Sequence, residues 1–357
     1  MKNTPPARGK FHARIHARQS TRQTAIGLIY RIWVISIPHL IDEPPKPELR
    51  LHARTHPSFT VLLFFEIMAL TDNQVAPLAV IFTLIARLSV WLMWLILKML
   101  DVPESKRKLL TLLFAVIPAI NIYSGVSLEG VILTTSLLFL YGLLRIMQYG
   151  LRLEGILFLL VGIFITNALS FAGTFLLAVL LIVGISEFWV KRKWDVIILL
   201  GAALLLGAAL WALLNFGFGF DHIKSFLTAS RLENPSGFLG FVDPLSYLTT
   251  RIEGIAEIAL MLSFGCLAVF FQPNRLKIRW TDWKVQPNLM FIIGIFVLLL
   301  MFLAGSFRTG ETARVCLFFF PYILLMFRNL DEDLITHLVL ISRAQTILMQ
   351  LFGTYFW

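Results

Sequence analysis

The chain has little charge and almost no cysteine. Of its 357 residues only 15% are charged, 58% are hydrophobic, and the mean hydropathy is +0.79. Soluble domains carry about 25% charged and about 45–50% apolar residues, so a water-soluble globular enzyme is excluded. Cys266 and Cys316 both sit inside apolar runs, which excludes a disulfide framework. Heptads and glycine triplets are missing, so coiled coil and collagen are excluded, and the density of apolar residues excludes disorder. There is no glycine-rich phosphate loop, no Cys-x-x-Cys and no Gly-x-Ser-x-Gly nucleophile elbow. Internal repeats and matched helix breaks are also lacking, which counts against a secondary transporter.

What the chain does have is long apolar runs. A spanning helix needs roughly 20 predominantly apolar residues. Ten candidates follow: about 24–41, 75–97, 109–123, 130–148, 153–168, 170–189, 195–216, 254–272, 288–305 and 312–329. The first is interrupted by Arg31, and the run Ser58–Leu70 is too short to span, which predicts an interfacial or re-entrant helix. The chain therefore reads as all-α, a polytopic transmembrane bundle of about ten spans. It divides into a basic arm over 1–23, a membrane domain over 24–329 and an amphipathic or apolar tail over 330–357. The arm lacks a short apolar region followed by a cleavage site, so a retained anchor is expected rather than a removed leader.

Charge orients the bundle. With the N-terminus in the cytoplasm, twenty Lys and Arg residues fall in inner segments and eight in outer ones, provided 58–70 does not cross. The net charge of +10 thus reports topology, and nucleic acid is not an expected partner.

Ionisable groups at membrane depth are costly, so their positions are informative. The outer ends of the runs hold Asp42-Glu43, Glu129, and Glu311 with Arg314. Asp221-His222 and Asp243-Pro244 lie in the outer segment 217–253; the first pair falls far short of a metal-ligand set, and the second reads as a turn. An acidic pair straight after a hydrophobic helix can act as a general base or a metal ligand, or be only a solvated helix end.

The order of these features carries more. Ile41-Asp42-Glu43-Pro44-Pro45 follows the first run, and Thr55-His56-Pro57 precedes the short apolar helix. Pro118 to Glu129 closes the third run with an acid at the same face, and Gly310-Glu311-Thr312-Ala313-Arg314 opens the last. This succession resembles the polytopic glycosyltransferases of the type-C fold, in particular the dolichyl-phosphate-mannose mannosyltransferase-like group with its bacterial lipopolysaccharide sugar transferases. The likeness runs over about 24 to 357. That family often has a second proline where this chain has Ser58, and commonly has more spans and a C-terminal soluble domain.

The resemblance implies sugar transfer from a polyprenyl-phosphate donor to a lipid, glycan or protein acceptor outside the cytoplasm, in a prokaryotic plasma membrane. It assigns Asp42 as catalytic base with Glu43 beside it, and His56, Glu129, Glu311 and Arg314 to donor and acceptor binding. Arg314 is expected to meet the departing lipid phosphate, with Arg308 or Arg251 behind it. Some members of the family use a divalent metal, but the sequence itself implies no cofactor. A flippase of lipid-linked sugars and a catalytically silent protein of the same fold are the alternatives.

Overall fold

The computed structural model describes residues 57–353 apart from 73, 126, 193, 218–220, 236, 273–285 and 308–310. Asp42, Glu43, His56 and the expected first span therefore lie outside the described residues. Helices account for all regular structure among those described. The first is α1 (Ser58–Leu70), with Pro57 as its N-cap, and it has the bounds the apolar run gives. Thr60 Oγ1 on α1 donates to Leu169 O over 2.6 Å, pinning it to the end of the helix Leu153–Leu169.

The next helices are α2 (Val75–Met99), α3 (Glu104–Val116), α4 (Pro118–Tyr123), α5 (Leu128–Tyr149) and α6 (Leu153–Leu169). The run read as a single third span is two helices. Proline disfavours helical backbone in the residue before it, and Ile117 accordingly has ψ 131°, with Pro118 restarting the helix as α4. Gly150, at φ +76°, ends α5 in a backbone region that suits glycine. The α5–α6 hairpin packs with its backbones nearly touching. A Cβ on Gly142 would lie 2.4 Å from the Leu159 nitrogen, and one on Gly162 would lie 2.5 Å from that of Phe139. Small residues let membrane helices approach in this way. Gly142→Val and Gly162→Val are each expected to lower the thermal midpoint of the detergent-solubilised protein by at least several degrees, because neither obstacle is a side chain that can swing aside. Thr135 and Thr166 hydroxyls meet across the hairpin at 2.8 Å, and Thr134 donates to Ile85 O on α2.

Beyond the hairpin come α7 (Gly173–Lys191) and α8 (Asp195–Ala212), which ends in a wide turn at Leu213–Gly217. Then come α9 (His222–Glu233), α10 (Leu239–Val242) and α11 (Pro244–Leu262). The set closes with α12 (Phe264–Phe270), α13 (Gln286–Leu303), α14 (Thr312–Val315), α15 (Phe320–Phe327) and α16 (Glu332–Phe352). The run read as a span over 254–272 is broken. α11 and α12 meet at Ser263 with a bend of 110°, and Ser263 has φ +97°. Breaking a helix frees backbone groups that apolar surroundings cannot satisfy. Gln345 satisfies two of them: its Nε2 donates to Leu260 O, and its Oε1 accepts from Phe264 N, both at 2.8 Å. The run over 312–329 is likewise α14, a 3-10 turn (Leu317–Phe319) and α15 rather than one helix.

This is a multi-pass membrane protein. Five described helices are long and apolar enough to cross: α2, α5, α7 to Val190, α8 with its terminal turn, and α16, or six if the bent pair counts as one. α6, α13 and the stretch Leu317–Phe327 are apolar but shorter. α16 occupies the region expected as a tail, and it runs from Glu332, which accepts from Ser105 at 2.6 Å, to Gln350, which donates to Asn121. The ends of the bundle are therefore distinct. One gathers Met99, Lys106, Gln148 and Arg328 through backbone-directed bonds. The other holds Asn121, Glu129 and Arg314.

Candidate functional site

At that second end the chain folds back on itself to start α5. Ser127 is the N-cap, accepting from Gly130 N at 3.3 Å while its hydroxyl donates to Tyr123 O. A Cβ on Gly130 would collide with Ser124 O at 2.3 Å, so only glycine lets the loop lie this close over the first turn. Glu129 sits in that turn, where the helix dipole favours a carboxylate. Its side chain is nearly buried, 9% exposed.

Arg314 arrives from 185 residues away. Its Nε donates to Glu129 Oε1 at 2.9 Å, and its Nη1 donates to Glu311 Oε2 at 3.0 Å. Charge-assisted bonds of this length are about twice as strong as neutral ones. The Arg314 side chain is 24% exposed and that of Glu311 44%, so burial deepens from Glu311 through Arg314 to Glu129. A small cleft beside the pair is lined by Glu129, Ile132, Ser170, Arg314, Val315 and Leu317. Three of the six residues expected in the site are thus brought together. The other three, Asp42, Glu43 and His56, lie outside the described residues.

The backbone that carries Arg314 is held by a residue the sequence reading missed. Glu311 is in the left-handed region, φ +52°, which turns the chain sharply into α14. The next two amides point at Glu257 on α11: Thr312 N donates to Oε2 at 2.7 Å and Ala313 N to Oε1 at 3.3 Å. Gly254, one turn earlier, keeps this approach open, since a Cβ there would touch Thr312 Oγ1 at 3.1 Å. Glu257 lies inside the run read as a span, and its signal was available there, because an acid within an apolar run marks a functional or structural demand.

Arg251, expected behind Arg314, is bonded to backbone carbonyls. It is buried, and its Nη1 donates to Ser306 O and, at 3.3 Å, to Phe302 O, which are carbonyls at the end of α13. The rings of Tyr247 and Phe302 flank it at 5.2 and 5.9 Å. Arginine suits carbonyls left unpaired at a helix C-terminus, so its role is to lock α11 onto α13. Arg308 lies outside the described residues.

The two acids singled out in the segment 217–253, Asp221 and Asp243, are helix caps. Asp221 caps α9, accepting from Ile223 N at 3.0 Å and Lys224 N at 3.1 Å, and Asp243 caps α11 by accepting from Ser246 N. Burial against Phe171 holds the His222 imidazole below its usual pKa, a shift that the neighbouring Asp221 opposes. Among the described residues no group of three His, Cys, Asp or Glu side chains could hold a metal ion. Compared with protein-family models, with curated proteins and with solved structures, the chain gives no match.

Proposed function

We propose that the protein is a membrane glycosyltransferase that moves a hexose-type sugar from a polyprenyl-phosphate donor to an acceptor hydroxyl or amine. The reaction takes place on the non-cytoplasmic face by a single inverting displacement. The observation that supports the reading is the Glu129, Arg314 and Glu311 cluster at one end of the bundle. A charged group near membrane depth is expensive to keep and is by default a functional candidate. All three are among the four residues, His56 being the other, that the family resemblance assigns to donor and acceptor binding.

The chemistry constrains the roles. The acceptor oxygen attacks the anomeric carbon, the bond to lipid phosphate breaks, and a carboxylate takes the acceptor proton. Asp42 is the proposed base, with Glu43 beside it and His56 nearby in the chain. The departing phosphate needs cationic donors, and a planar guanidinium matches it. Arg314 already faces two carboxylates, so the phosphate requires a second cation, and Arg308 is the proposed one. The flippase reading would instead need polar groups lining both faces.

Transfer is tested in proteoliposomes with radiolabelled polyprenyl-phosphate sugars and a lipid or glycan acceptor. Label appearing in the acceptor is the expected result. Movement of the donor across the bilayer with no transfer would favour the flippase. Glu257 gives a graded prediction. Glu257→Ala removes both amide acceptors from the Arg314 turn, a cap-like loss worth about 1 kcal/mol, and transfer is expected to fall about fivefold. Glu257→Gln, which keeps one acceptor oxygen, is expected to fall in between.

A further inference from the structure

α11 has three sides, and each suits a different medium. Tyr247, Arg251, Gly254 and Ile258 are buried against the protein. Leu245, Leu248, Ile252 and Ile255 are exposed and apolar. Ser246, Thr249 and Glu253 are exposed and polar. At 3.6 residues per turn, positions 245, 248, 252 and 255 form one stripe along the helix. Positions 246, 249 and 253 form another, on the side turned away from the buried face.

The contacts of α11 show how it lies. A helix that crosses a bilayer beside its neighbours follows one of them along its length. α11 instead passes from the end of α13 to the start of α14, and then to α16 about two turns short of its end. Its first half rests on the end of α13, where Tyr247 Oη donates to Leu303 O at 2.8 Å and Arg251 reaches Phe302 O. Glu257 then meets the start of α14, and Leu260 O meets Gln345 on α16. After Ser263 the chain turns through 110° into α12, where Gly265 packs on Ile341 and Leu338. The aromatic contacts of Phe270 are with Phe291 and Phe327, towards the Arg328 end. α12 thus descends along the bundle, and α11 lies across its top.

We propose that α11 is an in-plane helix at the membrane surface of the Arg314 end. Its 245–248–252–255 stripe beds among the acyl chains of that leaflet, and its 246–249–253 stripe faces water. Lipid is the occupant the observations select. The apolar stripe is continuous in character with the exposed leucines of α13, Leu299, Leu300 and Leu303, at whose end α11 begins. A spanning orientation would carry Thr249 and Glu253 into hydrocarbon, at a cost the in-plane one avoids. The proposal is independent of the reaction. It places the lipid boundary and Glu257 on one element, so that the surface a lipid rests on also holds the turn of Arg314.

The test is a depth measurement on the full-length protein in vesicles of phosphatidylcholine and phosphatidylglycerol. Nitroxide is attached to single cysteines at 245, 248, 252 and 255, then at 246, 249 and 253; both native cysteines are buried. Collision with oxygen and with a water-soluble nickel chelate gives the depth of each label. The first set is expected to be oxygen-accessible at one common depth, and the second nickel-accessible. Labels at Val80, Leu84 and Leu88, exposed on the spanning α2, supply the graded profile for comparison. A depth change of about 15 Å from 245 to 255, at 1.5 Å per residue, would show a spanning helix and overturn the proposal. So would nickel access at the first set, or protection of that set from both reagents, which would mean that protein covers the stripe.

Discussion

Arg314→Ala is expected to lower transfer about 100- to 1000-fold and to destabilise the protein by about 3 kcal/mol. The two effects have different origins and separate in a double variant. Removing the guanidinium leaves Glu129, with 9% of its side chain exposed, without the cation that compensates its burial. Breaking a buried pair from one side is costly for that reason, whereas removing both partners often is not. Glu129→Ala with Arg314→Ala should therefore recover most of the thermal stability of the parent protein while transfer stays low. Arg314→Lys keeps the charge but lacks the rigid fork that reaches Glu129 by Nε and Glu311 by Nη1. It is expected to fold well and to transfer at an intermediate rate. The measurements are donor-dependent transfer kinetics and thermal unfolding in detergent for all four proteins. Parent-like transfer by Arg314→Ala would reduce the cluster to a structural lock.

The sequence was most legible where one rule governs. Ser58–Leu70 could be bounded because an apolar run ends at Asp72, and α2, α5 and α8 because length and hydropathy suffice for a helix without partners. It was less legible where the chain breaks inside an apolar run. Pro118 is a visible breaker, yet the apolar residues on both sides of it make 109–123 look continuous. Ser263 gives no such sign, since its break is held by Gln345, 82 positions further along, and no local pattern carries that bond. The site divides similarly. Glu129, Glu311 and Arg314 stood out as charges at the ends of apolar runs on one side, and the structure joins them. Glu257 showed as an acid within an apolar run, but what it holds did not, because its partners are backbone amides, which leave no trace in residue identity. Arg251 looked like a spare cation for the same reason: its acceptors are the Phe302 and Ser306 carbonyls.

Asp42→Asn is expected to lower transfer about 10²- to 10⁴-fold, the usual span for losing a positioned general base, while expression and thermal stability stay near those of the parent. Asparagine keeps the volume and a hydrogen-bonding oxygen but cannot accept the acceptor's proton, so the loss should fall on the rate of the bound complex more than on donor affinity. The position has a topological argument behind it. The run 24–41 precedes Asp42, α1 at 13 residues is shorter than the roughly 20 a span needs, and α2 and α5 run parallel, with Thr134 bonded to Ile85 near one end and Gln148 to Met99 at the other. If the first run crosses, Asp42 emerges on the side of Glu129 and Arg314. Glu43→Gln tests the neighbour by the same assay. A small effect there with a large one at Asp42 assigns the base to a single carboxylate, and the reverse assigns it to Glu43. In the variant that removes the base, the acidic limb of the pH–rate profile should vanish, because the group whose protonation is expected to stop transfer by the parent protein at low pH is gone. An unchanged acidic limb together with full turnover in both variants would show that no carboxylate of this pair takes the proton, and the proposed displacement would need another base.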